Sequence, residues 1–461
     1  MKTKLKSIIA AICAGACALS VAACGGGTIK GGSTGGGNTA GVGDPIDDGT
    51  VGQSSLLGAP KAVERVNYSA LTTDGYKAFK NEVENFAARF SAYAYEDYNK
   101  QGNFTVSPIS VYMALALASE CSAGDTRQEI LNALGVTREQ LTTHFSTLYR
   151  SLEVEHKSYK DEIRSLLDLS NSIWVNDGTE VKQPCINSLS NDYYAYSYSA
   201  DFEHNNAEAN KAVRDFVSEQ TRGLIDKDFQ LSEYTLFALI NTLYLKTVWN
   251  DGGDDLPYAD GTFEFTANDG SKKNTELLQG YYNDGKAVEF DTFTTFYTTS
   301  RDGYKIKFIL PKENNSINQV FTAENIAAVN AITNYNAYDA ANNVHYETRV
   351  LFPEYKCAYD EDIKGLLQDK FDINLLFGSA CDFSTLSDEP CYCAKVQHVT
   401  DLTVDKKGIE GAAVTVIGMD ANAMPPENII IQQDYVVNKA FGFVITDSHD
   451  TTLFSGVVNN I

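Results

Sequence analysis

The chain has 461 residues, a net charge of −24, and a composition that is 43% hydrophobic and 11% aromatic. So acidic a balance argues against nucleic acid as a partner, because its binders need clustered Lys and Arg; it favours solubility and attraction to basic proteins. The apolar content is enough for a large core, although the roughly 390 residues beyond residue 70 exceed the usual size of one domain.

At the N-terminus, Lys2, Lys4 and Lys6 precede an apolar run from Ile8 to Ala23. That run is short for a membrane span, which takes ~20 apolar residues, and reads as a secretion signal over residues 1–23. Val21-Ala22-Ala23-Cys24 resembles the end of a bacterial lipoprotein signal. The resemblance implies a lipid on Cys24 and a position on the extracellular face of a bacterial membrane; plain secretion after a nearby cut is the alternative. Gly25-Gly26-Gly27 opens a Gly-rich stretch expected to form a flexible tether over residues 24–70, with one folded domain over 71–461.

Phe79, Val83, Phe86, Phe90 and Tyr93 fall at steps of four, three, four and three, which predicts an amphipathic helix over Tyr76–Tyr98. Ser107-Pro108 predicts an N-cap and first turn; the helix that follows is apolar on nearly every side and should lie deep. Thr126 to Glu129 reads as a capping box opening a short helix that ends near Gly135. Strands are predicted at Tyr234–Trp249, buried on both faces, and at Tyr304–Leu310, Glu347–Phe352, Val396–Asp405, Phe441–Thr446 and Thr452–Val458. Asp447 to Asp450 joins the last two as a hairpin. Helices first and strands later, without strict alternation, give an α+β class.

Of nine cysteines, Cys13, Cys17 and Cys24 lie in the leader, and Cys121, Cys185, Cys357, Cys381, Cys391 and Cys393 in the domain. Their spacing is not that of a small stapled scaffold, and buried free thiols are the expectation. Cys391-Tyr392-Cys393 places two thiols on one face of a predicted strand. No further Cys or His pair has ligand spacing, so no metal site is expected. Catalysis by this chain is not expected either. There is no G-x-S-x-G, H-E-x-x-H or Walker sequence, and His144, His156, His204, His345, His398 and His449 are scattered.

Several motifs in consistent order, from about Gly75 to Ile461, resemble those of the serpin family of protease inhibitors. Asn103-Phe104-Thr105-Val106-Ser107-Pro108-Ile109-Ser110 resembles the family's N-x-x-x-S-P-x-S, and Asn241 to Trp249 its N-x-x-x-x-K-x-x-W strand. His398 stands ten residues before Gly408, and Leu453 to Asn459 resembles the closing LF-x-G-x-x-N. The resemblance implies a large central mixed β-sheet with additional sheets, helices mainly in the N-terminal half and an exposed reactive-centre loop. It further implies a monomer without cofactor, whose partner is a target protease held as a covalent acyl complex.

Gly408, Ile409, Glu410, Gly411, Ala412 and Ala413 match the family's hinge, the stretch that enters the sheet after the loop is cut. Lys406 stands where family hinges carry Glu, and Ile409 where they carry Thr or Ser; the bulk of Ile409 is expected to slow insertion. Ser107, Ser110, Asn241 and His398 match the shutter, a polar cluster beneath the opening sheet, and Trp249 the breach where the hinge enters. Family inhibitors are cut fourteen residues beyond the hinge glycine, which from Gly408 places the reactive bond at Asn422–Ala423. Pro425-Pro426-Glu427 gives the same position; bonds after Ala421, Ala423 or Met424 are the alternatives. No Lys or Arg occurs from Ile409 to Val437 and no aromatic before Tyr435. The loop therefore suits a serine protease of elastase-like or subtilisin-like preference. Asn422 suits an asparagine-cutting cysteine protease, and papain-like enzymes stay open. The rival from another class is a non-inhibitory surface binding protein of the same fold.

Overall fold

The computed structural model describes residues 51–98, 102–157, 163–249, 255–332, 335, 337–339, 341–393, 395–410 and 429–461. In chain order the strands used below are β1 Ser54–Gly58, β2 Phe104–Val106, β3 Ile163–Asn176, β4 Ala195–Ala200, β5 Phe237–Val248, β6 Asn283–Asp284, β7 Phe293–Thr299, β8 Lys305–Pro311, β9 Val344–Phe352, β10 Tyr355–Asp362, β11 Gln397–Asp405, β12 Gly408–Glu410, β13 Ile429–Val436, β14 Phe441–Thr446 and β15 Thr452–Val458. The helices are α1 Asp74–Tyr98, α2 Pro108–Cys121, α3 Gly124–Leu134, α4 Arg138–Leu152, α5 Gln183–Asp192, α6 Asn206–Gln220 and α7 Lys364–Phe371.

An eight-stranded sheet in the order β1-β4-β3-β5-β12-β11-β10, with Val154–Lys157 also on β3, forms the centre. β3 and β4 run parallel and the other labelled pairs antiparallel, so this sheet is mixed. A second sheet carries β7-β8-β14-β15-β2, and a third is built on β9, which pairs with β6 and with β13. Most helical residues precede Thr221, as expected for the class.

The helical periodicity reads through to packing. Phe79, Val83, Phe86 and Phe90 of α1 are buried and Tyr93 is half-buried. In α2 every residue except Ala114 is buried, because the central sheet covers one side and α1 another. Gly135 closes α3 with a left-handed φ of 75°, a conformation glycine adopts without steric cost.

Four local expectations give way. The Gly-rich tether does not run to residue 70, since β1 pairs with β4 at the edge of the central sheet and Arg150 donates to the carbonyls of Glu64 and Arg65. Val51 and Ser54 are buried there, so the folded domain starts at least twenty residues before the 71 read from composition. Thr126 opens no capping box: α3 starts two residues earlier, the Thr126 hydroxyl accepts from the Asp382 N–H, and the Glu129 carboxylate accepts from the N–H groups of Asn374 and Leu375. The capping box belongs to Thr137 and Gln140, at the start of α4. Finally, Cys391–Cys393 is not a strand.

Candidate functional site

β5 was expected to be buried on both faces. Thr242, Tyr244, Leu245 and Thr247 are buried, but Lys246 is exposed and Ala238 to Asn241 are only half-buried. The cause is a separation in the sheet. At their upper ends β5 and β11 are bridged by the three residues of β12: Gly408, Ile409 and Glu410 stand opposite Val248, Thr247 and Lys246 on one side. On the other side they face Asp405, Val404 and Thr403. Below Glu410 no ladder among the described residues joins β5 to β11. A cavity of about 520 Å³ lies there, between Phe237–Leu243 and Val396–Asp401, floored by α2 and roofed by the end of α6 and the segment after it.

Steric space explains the residues of β12. A Cβ on Gly408 would sit 1.7 Å from the Thr247 carbonyl oxygen, so no side chain fits without moving backbone. Ile409, whose bulk was expected to hinder entry, is 1% exposed and packs beside Thr247 and Val404. Its side chain points down into the core, and Glu410 alternates to the outer face, where the Tyr244 hydroxyl donates to it at 3.5 Å. The turn before β12 is held by Asp405, whose carboxylate accepts from the N–H groups of Lys407 and Gly408. Lys406 points away into an ion pair with Asp255. Trp249 sits at the top of the same opening: its indole N–H donates 2.8 Å to the Asp405 carbonyl and its ring meets Phe352.

The four shutter residues all line the cavity, but they form two clusters on opposite sides of it. On the β5 side, the Ser110 hydroxyl donates to Asn241 Oδ1, and Asn241 Nδ2 donates 2.6 Å to Asn171 Oδ1 on β3. Asn171 in turn donates to the Tyr193 carbonyl. On the β11 side, the Ser107 N–H donates 3.1 Å to Nε2 of His398, and the Thr400 hydroxyl donates to the Thr105 carbonyl. His398 is packed between Phe90 and Tyr359, and burial drives its pKa down to about 3. The ring is therefore neutral at physiological pH, with Nε2 the acceptor. Ser107 precedes α2 as expected, yet its hydroxyl neither caps the helix nor finds a partner among the described residues.

Sequence reasoning missed Asn171, Thr400 and Asp405. Asn171 stands opposite Asn241 in the β3–β5 register, and the polar run Ser170-Asn171-Ser172 gave no signal of that pairing in the chain. Gly411, Ala412, Ala413, Asn422 and Ala423 lie outside the described residues, as do Cys13, Cys17 and Cys24. The six domain cysteines are free thiols, with Cys121, Cys185 and Cys357 buried. Among the described residues no helix is long and apolar enough to cross a membrane.

A model of the family described as Serpin (serine protease inhibitor) matches residues 81–461. Alpha-1-antitrypsin 1-1 of Mus musculus is 25% identical over 370 residues, covering 77% of this chain and 83% of that protein. Alpha-1-antiproteinase of Rattus norvegicus is 24% identical over 398 residues, covering 83% of this chain and 89% of that protein. Among solved structures, the native thermophilic serpin tengpin aligns with a TM-score of 0.65 at 20% identity, covering 89% of this chain and all of that one. Human thyroxine-binding globulin in complex with thyroxine aligns at 0.64 and 19%, covering 84% and 99%. The family match spans the sheet, the gap and β12 alike: this chain belongs to the serpins, a family made up generally of protease inhibitors.

Proposed function

We propose that this protein is a suicide-substrate inhibitor of extracellular proteases, which traps the acyl-enzyme by inserting its cut loop between β5 and β11. The observation that carries this reading is the register of β12. The pairing observed ends at Glu410; an inserted strand that kept this register would set Gly411 opposite Leu245 and Leu402, Ala413 opposite Leu243 and Thr400, and Thr415 opposite Asn241 and His398. Side chains alternate along a strand, so in the inserted form Gly411, Ala413, Thr415 and Ile417 would share the α2 side with Ile409, and Ala412, Val414 and Val416 would take the α6 side. Each is small or apolar, or carries a single hydroxyl. The charged residues, Glu410 and Asp420, fall on the α6 side at the two ends of the run.

This arrangement suits insertion beyond the mere absence of proline. Thr415, the hydroxyl-bearing residue of the inward set, arrives at the level where the Ser107 hydroxyl lacks a partner. A strand there would also supply ladder partners to the facing edges of β5 and β11, which have none among the described residues. The protein's own chemistry is that of a substrate, not a catalyst. The attacking protease supplies its nucleophile, the peptide bond at Asn422–Ala423 breaks, and the acyl group stays on the protease while the strand moves.

The target class is an elastase-like or subtilisin-like serine protease, read from the small and medium apolar residues Met419, Ala421, Ala423 and Met424 around the bond. The N-terminal leader and Cys24 support display on the outer face of a bacterial membrane by a lipid. Incubation with elastase- and subtilisin-type proteases tests the reading: it expects an SDS-resistant complex, and a fragment mass that fixes the bond. Clean cleavage without complex, and with no rise in melting temperature afterwards, overturns it in favour of a binding protein.

A further inference from the structure

Away from the gap, three side chains from two strands of the third sheet converge. The ligand atoms of Asp284 on β6 and of His345 and Glu347 on β9 all lie within 4.8 Å of one another. The register brings them together: Asp284 stands directly opposite Glu347, and His345 lies two residues before Glu347 on the same face. His345 Nε2 is 3.1 Å from Asp284 Oδ1.

The charge balance of this cluster favours a cation. Like charges directly opposite on antiparallel strands destabilise the pair, and Asp284 and Glu347 are such a pair. Among the described residues, moreover, neither carboxylate forms an ion pair with a Lys or Arg; the partner of Asp284 is His345. The neighbouring cationic residue Arg349 is engaged elsewhere, by Asp434.

We propose that Asp284, His345 and Glu347 bind a divalent transition-metal ion of the Zn²⁺ class, through one imidazole nitrogen and two carboxylate oxygens. A dication offsets the opposed carboxylates and would sit between His345 Nε2 and Asp284 Oδ1, which are 3.1 Å apart. An imidazole ligand selects this class over Ca²⁺ and Mg²⁺, which prefer all-oxygen shells. Three protein ligands leave a fourth position for water.

The site has a structural consequence. Glu347 also accepts 2.8 Å from the side-chain amide of Gln432 on β13, the first described strand after the loop. β13 runs parallel to β9 along its whole length, with His345 opposite Ile430. The ion therefore fixes the β9 side chains against which the loop's C-terminal attachment is laid.

The test uses the full chain and Zn²⁺ itself, and depends on neither loop insertion nor a protease. Calorimetry is expected to show one saturable Zn²⁺ per chain, no comparable binding of Ca²⁺ or Mg²⁺, and a melting temperature that rises with Zn²⁺ concentration. His345→Ala, Glu347→Gln and the half-exposed Asp284→Asn are each expected to weaken binding at least about tenfold. The metal-free melting temperature of Asp284→Asn should equal or exceed the parent's, since the opposed charge is gone, separating lost ligation from lost fold. The free thiols are the competing ligands, so the same titration is run on Cys391→Ser/Cys393→Ser. Absence of saturable binding, binding indifferent to His345→Ala, or loss of binding in the cysteine variant would each overturn the proposal.

Discussion

Acidification tests how the sheet is held shut, through His398. The ring is buried, with 6% of its surface exposed, and desolvation lowers its pKa to about 3, against an unfolded value of about 6.5. Because the folded-state value is the lower one, the unfolded chain takes up the proton first as pH falls. The stability that neutral His398 supports is complete above pH 6.5, and is lost progressively between 6.5 and about 3. One pKa unit is about 1.36 kcal/mol, so at pH 5 the loss is about 2 kcal/mol. Spread over an unfolding entropy of roughly 2 cal/mol/K per residue, that is a fall in melting temperature of roughly 2–3 °C. His449 titrates with the opposite sign: its hydrogen bond to Asp447 raises its pKa, so its contribution is present at low pH and fades as pH rises. The measurement is therefore a difference, wild type against His398→Gln. The amide can still accept from the Ser107 N–H but does not titrate. Melting curves at pH 7.5, 6.5, 5.5 and 5.0 should converge or cross as pH falls, with the variant the less acid-sensitive. Parallel profiles would refute the argument that this imidazole is held neutral by burial.

The hinge and the ends of the fold give three further expectations. Gly408→Ala drives a Cβ into the Thr247 carbonyl; it should expel β12 and shift the reaction with a target protease from complex to cleaved product, seen as a changed band ratio on SDS gels. Thr415→Arg puts a charge on the α2 side at the level of Asn241 and His398, where no water solvates it. It should raise the cleaved-to-complexed ratio roughly tenfold or more, whereas Asp420→Arg, on the other face near the end of the run, should change it little. Removing residues 1–72 deletes β1 and the buried Val51, and should cost about 3 kcal/mol, read as a lower melting temperature with complex formation retained.

What the sequence disclosed, and what it withheld, divides along a physical line. Periodicity located α1, and short runs rich in β-branched and aromatic residues located β8, β11, β14 and β15 to within about a residue, because each is decided by one segment's own burial. Gly408 and four of the residues that line the gap, Ser107, Ser110, Asn241 and His398, were legible as motifs. The gap was not: it is an absence of pairing between β5 and β11, and no segment read alone shows which edges fail to meet. Asn171 escaped for a related reason, since only the strand register sets it opposite Asn241. In the Asp284–His345–Glu347 cluster, Asp284 and His345 stand 61 residues apart in the chain, far beyond any ligand-spacing pattern. Thr126 misled because the capping signature is satisfied equally well by side chains that bond to a distant loop.

The same line bears on Ile409, expected from the family pattern to slow insertion: the structure shows it already seated in β12. Judged against family habit, a bulky β-branched residue after the hinge glycine slows entry. Judged against its partners, it fills the space between Thr247 and Val404, and β-branched residues suit a pleated, buried strand. Three residues of the hinge are thus already paired on both sides while the cavity below stays open. In the proposed mechanism, insertion would extend a strand whose register is fixed, with the entropic cost of starting a new ladder already met at Gly408. On this argument the barrier that keeps the uncut protein from inserting further lies in the tether of an intact loop to β13. It does not lie in nucleation at the breach, so cutting anywhere between Ala421 and Met424 should release it.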